Sequence, residues 1–220
     1  MLLDRQRTKF WQRIVFSLMA VLMVAWLVGL AVSQLVCGRS TTSATGLDDR
    51  VAAAVAAVQA SPADPLMILA AATAYQDRAL AQQDGSAGKT GDFTQALTYF
   101  TKFVALKDKA MGPDARQRRI DAYMAMARIH AGLGDAKGAA SDYTALTDLE
   151  PKNADNFLQL GRLAGQAGDN RMAFLAYARY LEMEPNSDLA PLVEKELKRI
   201  KALLTSESKV APTPAPSGGN

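Results

Sequence analysis

A 34-residue period governs the second half of this chain. Landmarks of the segment from Ile120 to Pro151 return in the segment from Ala154 to Pro185: Ala127 as Gly161, Gly134 as Gly168, Ala139 as Ala173 and Pro151 as Pro185. Each copy, 120–153 and 154–187, reads as a helix, a Gly-Asp turn (Gly134-Asp135, Gly168-Asp169), a second helix and a terminating proline. A unit of that size cannot bury its own apolar face and must stack on a neighbour, so the period predicts an all-α solenoid before any single residue is considered.

Within each copy, small residues fall where paired helices approach closely and large ones where they fill the gap between pairs. Counting Ile120 and Ala154 as one, Tyr123 and Phe157 take place four, Met126 and Leu160 place seven, Ala127 and Gly161 place eight, and Tyr143 and Tyr177 place twenty-four. With these residues the chain resembles the tetratricopeptide repeat family. It departs at place eleven, where the usual aromatic is His130 in one copy and Ala164 in the other, which predicts a thinner groove wall with His130 as a packing residue.

The resemblance implies a concave groove lined by the first helix of each repeat, at places two, five, nine and twelve. Those places hold Asp121, Met124, Arg128 and Ala131 in one repeat and Asp155, Leu158, Arg162 and Gly165 in the next. An apolar strip flanked by acidic and basic rows would suit an extended peptide or a partner helix. The Lys/Asn pattern of relatives that clamp a C-terminal carboxylate is absent, although Arg128 and Arg162 could hold an acidic group. Equally, the aspartates and arginines could pair with each other along the groove.

Upstream, a degenerate and expanded copy spans 62–110, with Ile68, Ala71, Ala72 and Tyr75 in its first helix and Gly91-Asp92 at its turn. Ala96, Phe100 and Phe103 follow in its second helix. Its extra length between Ala79 and Thr90 predicts an insertion, with a loop from Gln82 to Thr90. Asp48 to Ala60 places Val51, Val55 and Val58 on one helical stripe. At the other end, 188–204 reads as a capping helix with Leu189, Leu192, Val193, Leu197, Ile200 and Leu204 on one face. The Pro-, Gly- and Ser-rich stretch 205–220 reads as a disordered tail.

The repeat domain 47–204 is preceded by a basic segment (1–13), an apolar segment (14–37) and a linker (38–46). Ile14 to Val36 carries no charge over 23 positions, and a helix of that length covers roughly 35 Å, enough for a bilayer's hydrocarbon core. Arg5, Arg7, Lys9 and Arg13 precede it and only Arg39 follows closely, which predicts a cytoplasmic N-terminus and a repeat domain outside the bacterial inner membrane. Ala31-Val32-Ser33 has the form of a cleavage site, but the apolar run is longer than removable signals use. Cys37, the single cysteine, follows Val36 rather than the small residue that a lipoprotein site needs. It excludes an intrachain disulfide. Ala25, Gly29 and Ser33 form a small-residue stripe along which another transmembrane helix could pack.

The basic pI of about 9.0 belongs to the flank of that apolar segment. Without the five cations and one anion of the first 39 residues, 20 basic face 21 acidic residues, and no interleaved aromatic stripe supports nucleic-acid binding. Arg116, Arg118 and Arg119 cluster before the first regular repeat and read as a solvated face or an acidic-partner site. No cluster of His, Cys and carboxylates suggests a metal. Gly85 to Thr90 ends in Gly-Lys-Thr but lacks the first glycine and the βαβ context of a phosphate loop. The expectation is therefore a non-enzyme without cofactor or small-molecule substrate, a membrane-anchored periplasmic scaffold for protein partners in complex assembly or folding of exported proteins. In layout it resembles export-channel ancillary subunits or cytochrome c maturation factors. A permanent accessory subunit of a membrane complex is the alternative.

Overall fold

The computed structural model describes residues 44–210 as nine helices and no strand. The expected anchor with Ala25, Gly29 and Ser33, the segment 1–13, Cys37 and residues 211–220 lie outside the described residues. Among the described residues, no helix is long and apolar enough to cross a membrane. The helices are α1 (Ala44–Ala60), α2 (Pro65–Leu80), α3 (Ala87–Val104), α4 (Asp108–Met111), α5 (Ala115–Gly132), α6 (Ala136–Leu149), α7 (Ala154–Gln166), α8 (Asn170–Met183) and α9 (Ala190–Val210). Three hairpins, α2/α3, α5/α6 and α7/α8, stack in order, and α9 closes against α8.

Both regular hairpins turn through the same six positions of the repeat, 130–135 and 164–169. Asp135 N–H donates to His130 O at 2.8 Å and Gly134 N–H to Ala131 O at 3.1 Å, while Asp169 N–H donates to Ala164 O at 2.8 Å and Gly168 N–H to Gly165 O at 3.2 Å. These crossed bonds close the first helix on its own carbonyls, and they require the left-handed backbone that Gly134 (φ 74°) and Gly168 (φ 81°) supply. The aspartate then starts the second helix: Asp135 accepts from Gly138 N–H and Asp169 from Met172 N–H, both at 2.9 Å. Glu150 (φ −127°) and Glu184 (φ −128°) leave helical geometry ahead of Pro151 and Pro185, as the proline ring demands.

The α2/α3 hairpin reaches the same architecture by other means. Asp64 caps α2 by accepting from Leu66 N–H at 2.8 Å with Pro65 at the first helical position. Its turn is not at Gly91-Asp92 and its connection is shorter than expected. Ser86 accepts from Lys89 N–H at 3.2 Å and starts α3 at Ala87, the positive φ belongs to Gly85 (75°), and residues 87–90, the last part of the expected loop, are helix. Asp92 is instead buried inside α3. It accepts from Arg78 Nε at 2.8 Å, Arg78 Nη2 at 2.6 Å and Gln82 Nε2 at 2.7 Å. The charged turn residue of the regular repeats has here become a cross-helix staple.

Around it, Phe93, Ala96, Phe100 and Phe103 of α3 pack with Ile68, Ala72 and Ala79 of α2 and with Met126 and Ile129 of α5. A second cluster joins Ala139 and Ala140 of α6 to Leu160, Leu163 and Ala164 of α7, to Ala173, Tyr177 and Tyr180 of α8, and to Val193 and Ile200 of α9. α1 adds Leu47 and Val51 to buried surface and is held to α2 by Arg50–Asp77 and Asp48–Arg78 ion pairs, both 2.9 Å.

The three clustered arginines are not an open anion site: Arg116 is exposed, Arg118 and Arg119 are half-buried, and all three donate to backbone carbonyls. Arg116 donates to Leu149 O at the end of α6, Arg118 to Met111 O at the end of α4 (2.9 Å), and Arg119 to Leu106 O just past α3. Arg119 also pairs with Asp108 at 2.6 Å. Cations at a helix N-terminus oppose its dipole, and no acidic residue occupies the first turn of α5. The carbonyls at three other helix ends offset that cost.

Candidate functional site

Part of the groove expected on the first helices is seen at the C-terminal end of the stack. A cleft of about 500 Å³ lies between α7 and α9, with Tyr177 of α8 at its base. α7 contributes Leu158, Gln159, Arg162, Gly165 and Gln166, and the α9 side contributes Leu189, Leu192, Val193, Glu196, Arg199 and Ile200. Three of the groove positions thus meet here: Leu158, Arg162 and Gly165. Asp155 is exposed on the same helix but does not line the cleft, and neither do Asp121, Met124 and Arg128 of α5. Asp121 accepts from Gln117 Nε2 at 3.0 Å. Among the described residues no ion pair joins these aspartates to Arg128 or Arg162.

The cleft's floor follows from a close approach. An added Cβ on Gly161 would lie 2.6 Å from Cδ1 of Tyr177, so the glycine lets the tyrosine ring lie flat against α7. Burial pushes the Tyr177 phenol pKa up, with Glu196 adding to the effect and Arg162 and Arg199 opposing it. It stays a neutral apolar surface at physiological pH. Above it, Leu189 is 46% and Leu192 58% exposed. The sequence stripe placed both on the packed face of the cap; α9 has only α8 and the edge of α7 to lie on, so Val193 and Ile200 are covered and the two leucines are not. That excess width of the apolar stripe was the signal available in the sequence.

Charge on the rim is unevenly matched. Arg199 Nε donates to Glu196 at 2.8 Å, one turn away on α9. Among the described residues Arg162 meets only neutral acceptors, Gln159 Oε1 at 3.1 and 3.0 Å and Gln166 Oε1 at 3.4 Å. Its guanidinium is held in place without being neutralised.

His130 has a different task from lining a groove wall. Its Nδ1 lies 2.7 Å from Oδ2 of buried Asp142, tying α5 to α6, and its Nε2 lies 3.8 Å from Asp135. Burial raises the Asp142 pKa and the contact with His130 partly offsets the rise. An added Cβ on Gly138 would come 2.7 Å from the His130 ring, so this histidine takes the space that a side chain at that point of α6 would need. Among the described residues no group of three or more His, Cys, Asp or Glu could hold a metal ion.

The tetratricopeptide repeat profile matches residues 120–153, the α5/α6 unit whose turn and caps are described above. Residues 120–153 are a tetratricopeptide repeat. A search of the curated proteins finds no match. Similar solved structures include two crystal structures of MamA, each 17% identical. One covers 79% of this chain and 97% of its own with a TM-score of 0.44, the other 78% and 90% with a TM-score of 0.45. Tetratricopeptide repeats are in general scaffolds for protein–protein contact, and the matched repeat supports that class of function here.

Proposed function

We propose that the chain is a single-pass, membrane-anchored adaptor whose repeat domain faces the periplasm and docks protein partners of a membrane complex during its assembly or the folding of exported proteins. The observation that carries the docking part is the α7–α9 cleft, where Leu158, Tyr177, Leu189 and Leu192 offer an apolar surface beside the unneutralised Arg162. The uncharged stretch from Ile14 to Val36 with its preceding cations supports the anchor and its orientation. A second reading, a permanent accessory subunit, draws on Leu175 of α8, 63% exposed in addition to the cleft leucines, since a fixed interface covers such side chains.

The test is purification of the tagged full-length chain from its native membrane in mild detergent, beside an Arg162→Ala/Leu192→Asp variant, with partners quantified by mass spectrometry. Substoichiometric partners lost in the variant support the adaptor. Partners held at fixed ratio by both chains move the function to the permanent-subunit reading, and no partner for either removes both. Orientation is read separately, by labelling a cysteine at exposed Lys137 with an impermeant maleimide in spheroplasts of a Cys37→Ser background. Protection of that cysteine would place the repeats in the cytoplasm and refute the topology.

A further inference from the structure

We infer that the occupant of the α7–α9 cleft is an amphipathic helix of a partner protein carrying an acidic residue beside its apolar stripe, with Arg162 as the contact that selects it. This rests on the reading of the cleft as a docking surface and adds the chemistry of what docks.

The shape argument comes first. Both long walls are helices: Leu158 and Arg162 stand one turn apart on α7, and Leu189, Leu192, Glu196 and Arg199 step along the opposite wall. Two side-by-side helices present ridges with a trough between them, and a third helix lays its own ridge into such a trough. Tyr177, Val193 and Ile200 form a continuous apolar base, so the inserted ridge is apolar.

Charge decides the flank. Glu196 is satisfied by Arg199 within α9, which leaves the rim with one positive charge in excess, and it sits on Arg162. Gln159 and Gln166 accept from that guanidinium on α7, and Arg162 spends none of its charge on a carboxylate. A preoriented planar cation at the edge of an apolar trough is suited to a carboxylate, which it can hold through two parallel hydrogen bonds.

The same chemistry rules against the chain's own remaining segments. After Val210 the sequence holds Pro212, Pro214 and Pro216, no acidic residue and no large apolar one. Three prolines within five positions do not suit a docking helix. Before Ala44 the one acidic residue is Asp4, ahead of an apolar stretch that carries none. An amphipathic helix with an acidic flank is therefore supplied by another molecule.

The experiment is selection from a displayed library of helical peptides, with a fixed apolar stripe and randomised flanks, against the full chain in nanodiscs. Selected peptides are then measured by fluorescence anisotropy. The wild-type chain should enrich Glu or Asp at one flank position. An Arg162→Glu chain should bind the selected peptide at least about tenfold more weakly, and should enrich Lys or Arg at that position when reselected. Leu192→Asp should weaken the peptide by about tenfold as well, with the far-ultraviolet spectrum unchanged in both variants. The acid preference should shrink as salt is raised.

No enrichment, or enrichment indifferent to the charge at position 162, overturns the inference. So does a concentration-dependent dimer that peptide fails to dissociate, because the occupant is then a second copy. Failure here with partners still lost from the Arg162→Ala/Leu192→Asp variant in native membranes would spare the adaptor reading. Acid-selective binding without any native partner would do the reverse.

Discussion

The first hairpin, α2/α3, and the last, α7/α8, have the same helix-turn-helix layout and are held together differently. In α7/α8 the helices meet through small residues, Gly161 under Tyr177 and Ala164 near Ala173 in one cluster, with Asp169 spent on the turn. In α2/α3 the helices stand around Phe93, Phe100 and Phe103, and the aspartate sits mid-hairpin in a fork from Arg78. A stacking Tyr75–Tyr99 pair, with ring centroids 5.8 Å apart, occupies space that small residues leave empty elsewhere. The helical hairpin is thus the tolerant feature of this fold, and the 34-residue pattern is one way of making it.

That contrast can be broken most sharply at Asp92. The carboxylate side chain is 8% exposed and its Arg78 partner 26%, so Asp92→Ala removes a buried acceptor of three hydrogen bonds, leaves Arg78 only the exposed Asp48, and should cost about 3 kcal/mol. Hydrogen exchange should show the loss in 65–104 while 154–183 stays protected; equal deprotection of both hairpins would mean that they do not differ in kind. Next in size is Gly161→Ala. The new methyl meets the Tyr177 ring, whose displacement outweighs the gain in helix propensity, for a net loss of about 1–3 kcal/mol in urea denaturation. A stabilised variant would show that close approach is not what the last hairpin depends on.

A smaller effect is expected at Asp142, in the hairpin between them. Burial raises its folded-state pKa above the ordinary carboxylate value of about 4. Its contribution to stability is therefore fully present below that unfolded value and is lost as pH rises through the raised folded one. Asp142→Asn keeps an acceptor for His130 and removes the titration. The difference in stability between variant and wild type should grow in the variant's favour across that window and level off above it. A difference independent of pH would refute the assignment. The smallest stability change belongs to Leu192→Asp, below about 0.5 kcal/mol by thermal denaturation because the side chain is already exposed. A large drop would mean that Leu192 is core rather than docking surface.

What the sequence made legible was local. The Gly-Asp turns, their caps and the terminating prolines are bonds among residues within six positions of one another, and the repeat displays them twice. Contacts at a distance did not show. Gly91-Asp92 has the same letters as the two turns, yet its aspartate faces Arg78 and the chain turns at Gly85. His130 occupied a packing place by position and reaches Asp142 twelve residues on. α9 runs beyond Leu204 to Val210, into the stretch read as tail, because its Thr, Ser, Glu and Lys residues there are adequate helix formers on a helix already nucleated. At the cleft, register on α7 puts Leu158, Arg162 and Gly165 on one face. What α9 would leave uncovered depended on the width of its neighbours, which no single helix records.

The first turn of α5 makes that helix depend on the ends of its neighbours. Arg116, Arg118 and Arg119 crowd the wrong end of their own helix and gain their partners from the finished ends of α3, α4 and α6. Cut from the chain, 115–132 would be a reluctant helix. In place, it is a conditional one, winding fully when the elements on both sides of it have already stopped in the right positions. The two apolar clusters are separate bodies of side chains, but this turn makes the completion of each known to the other.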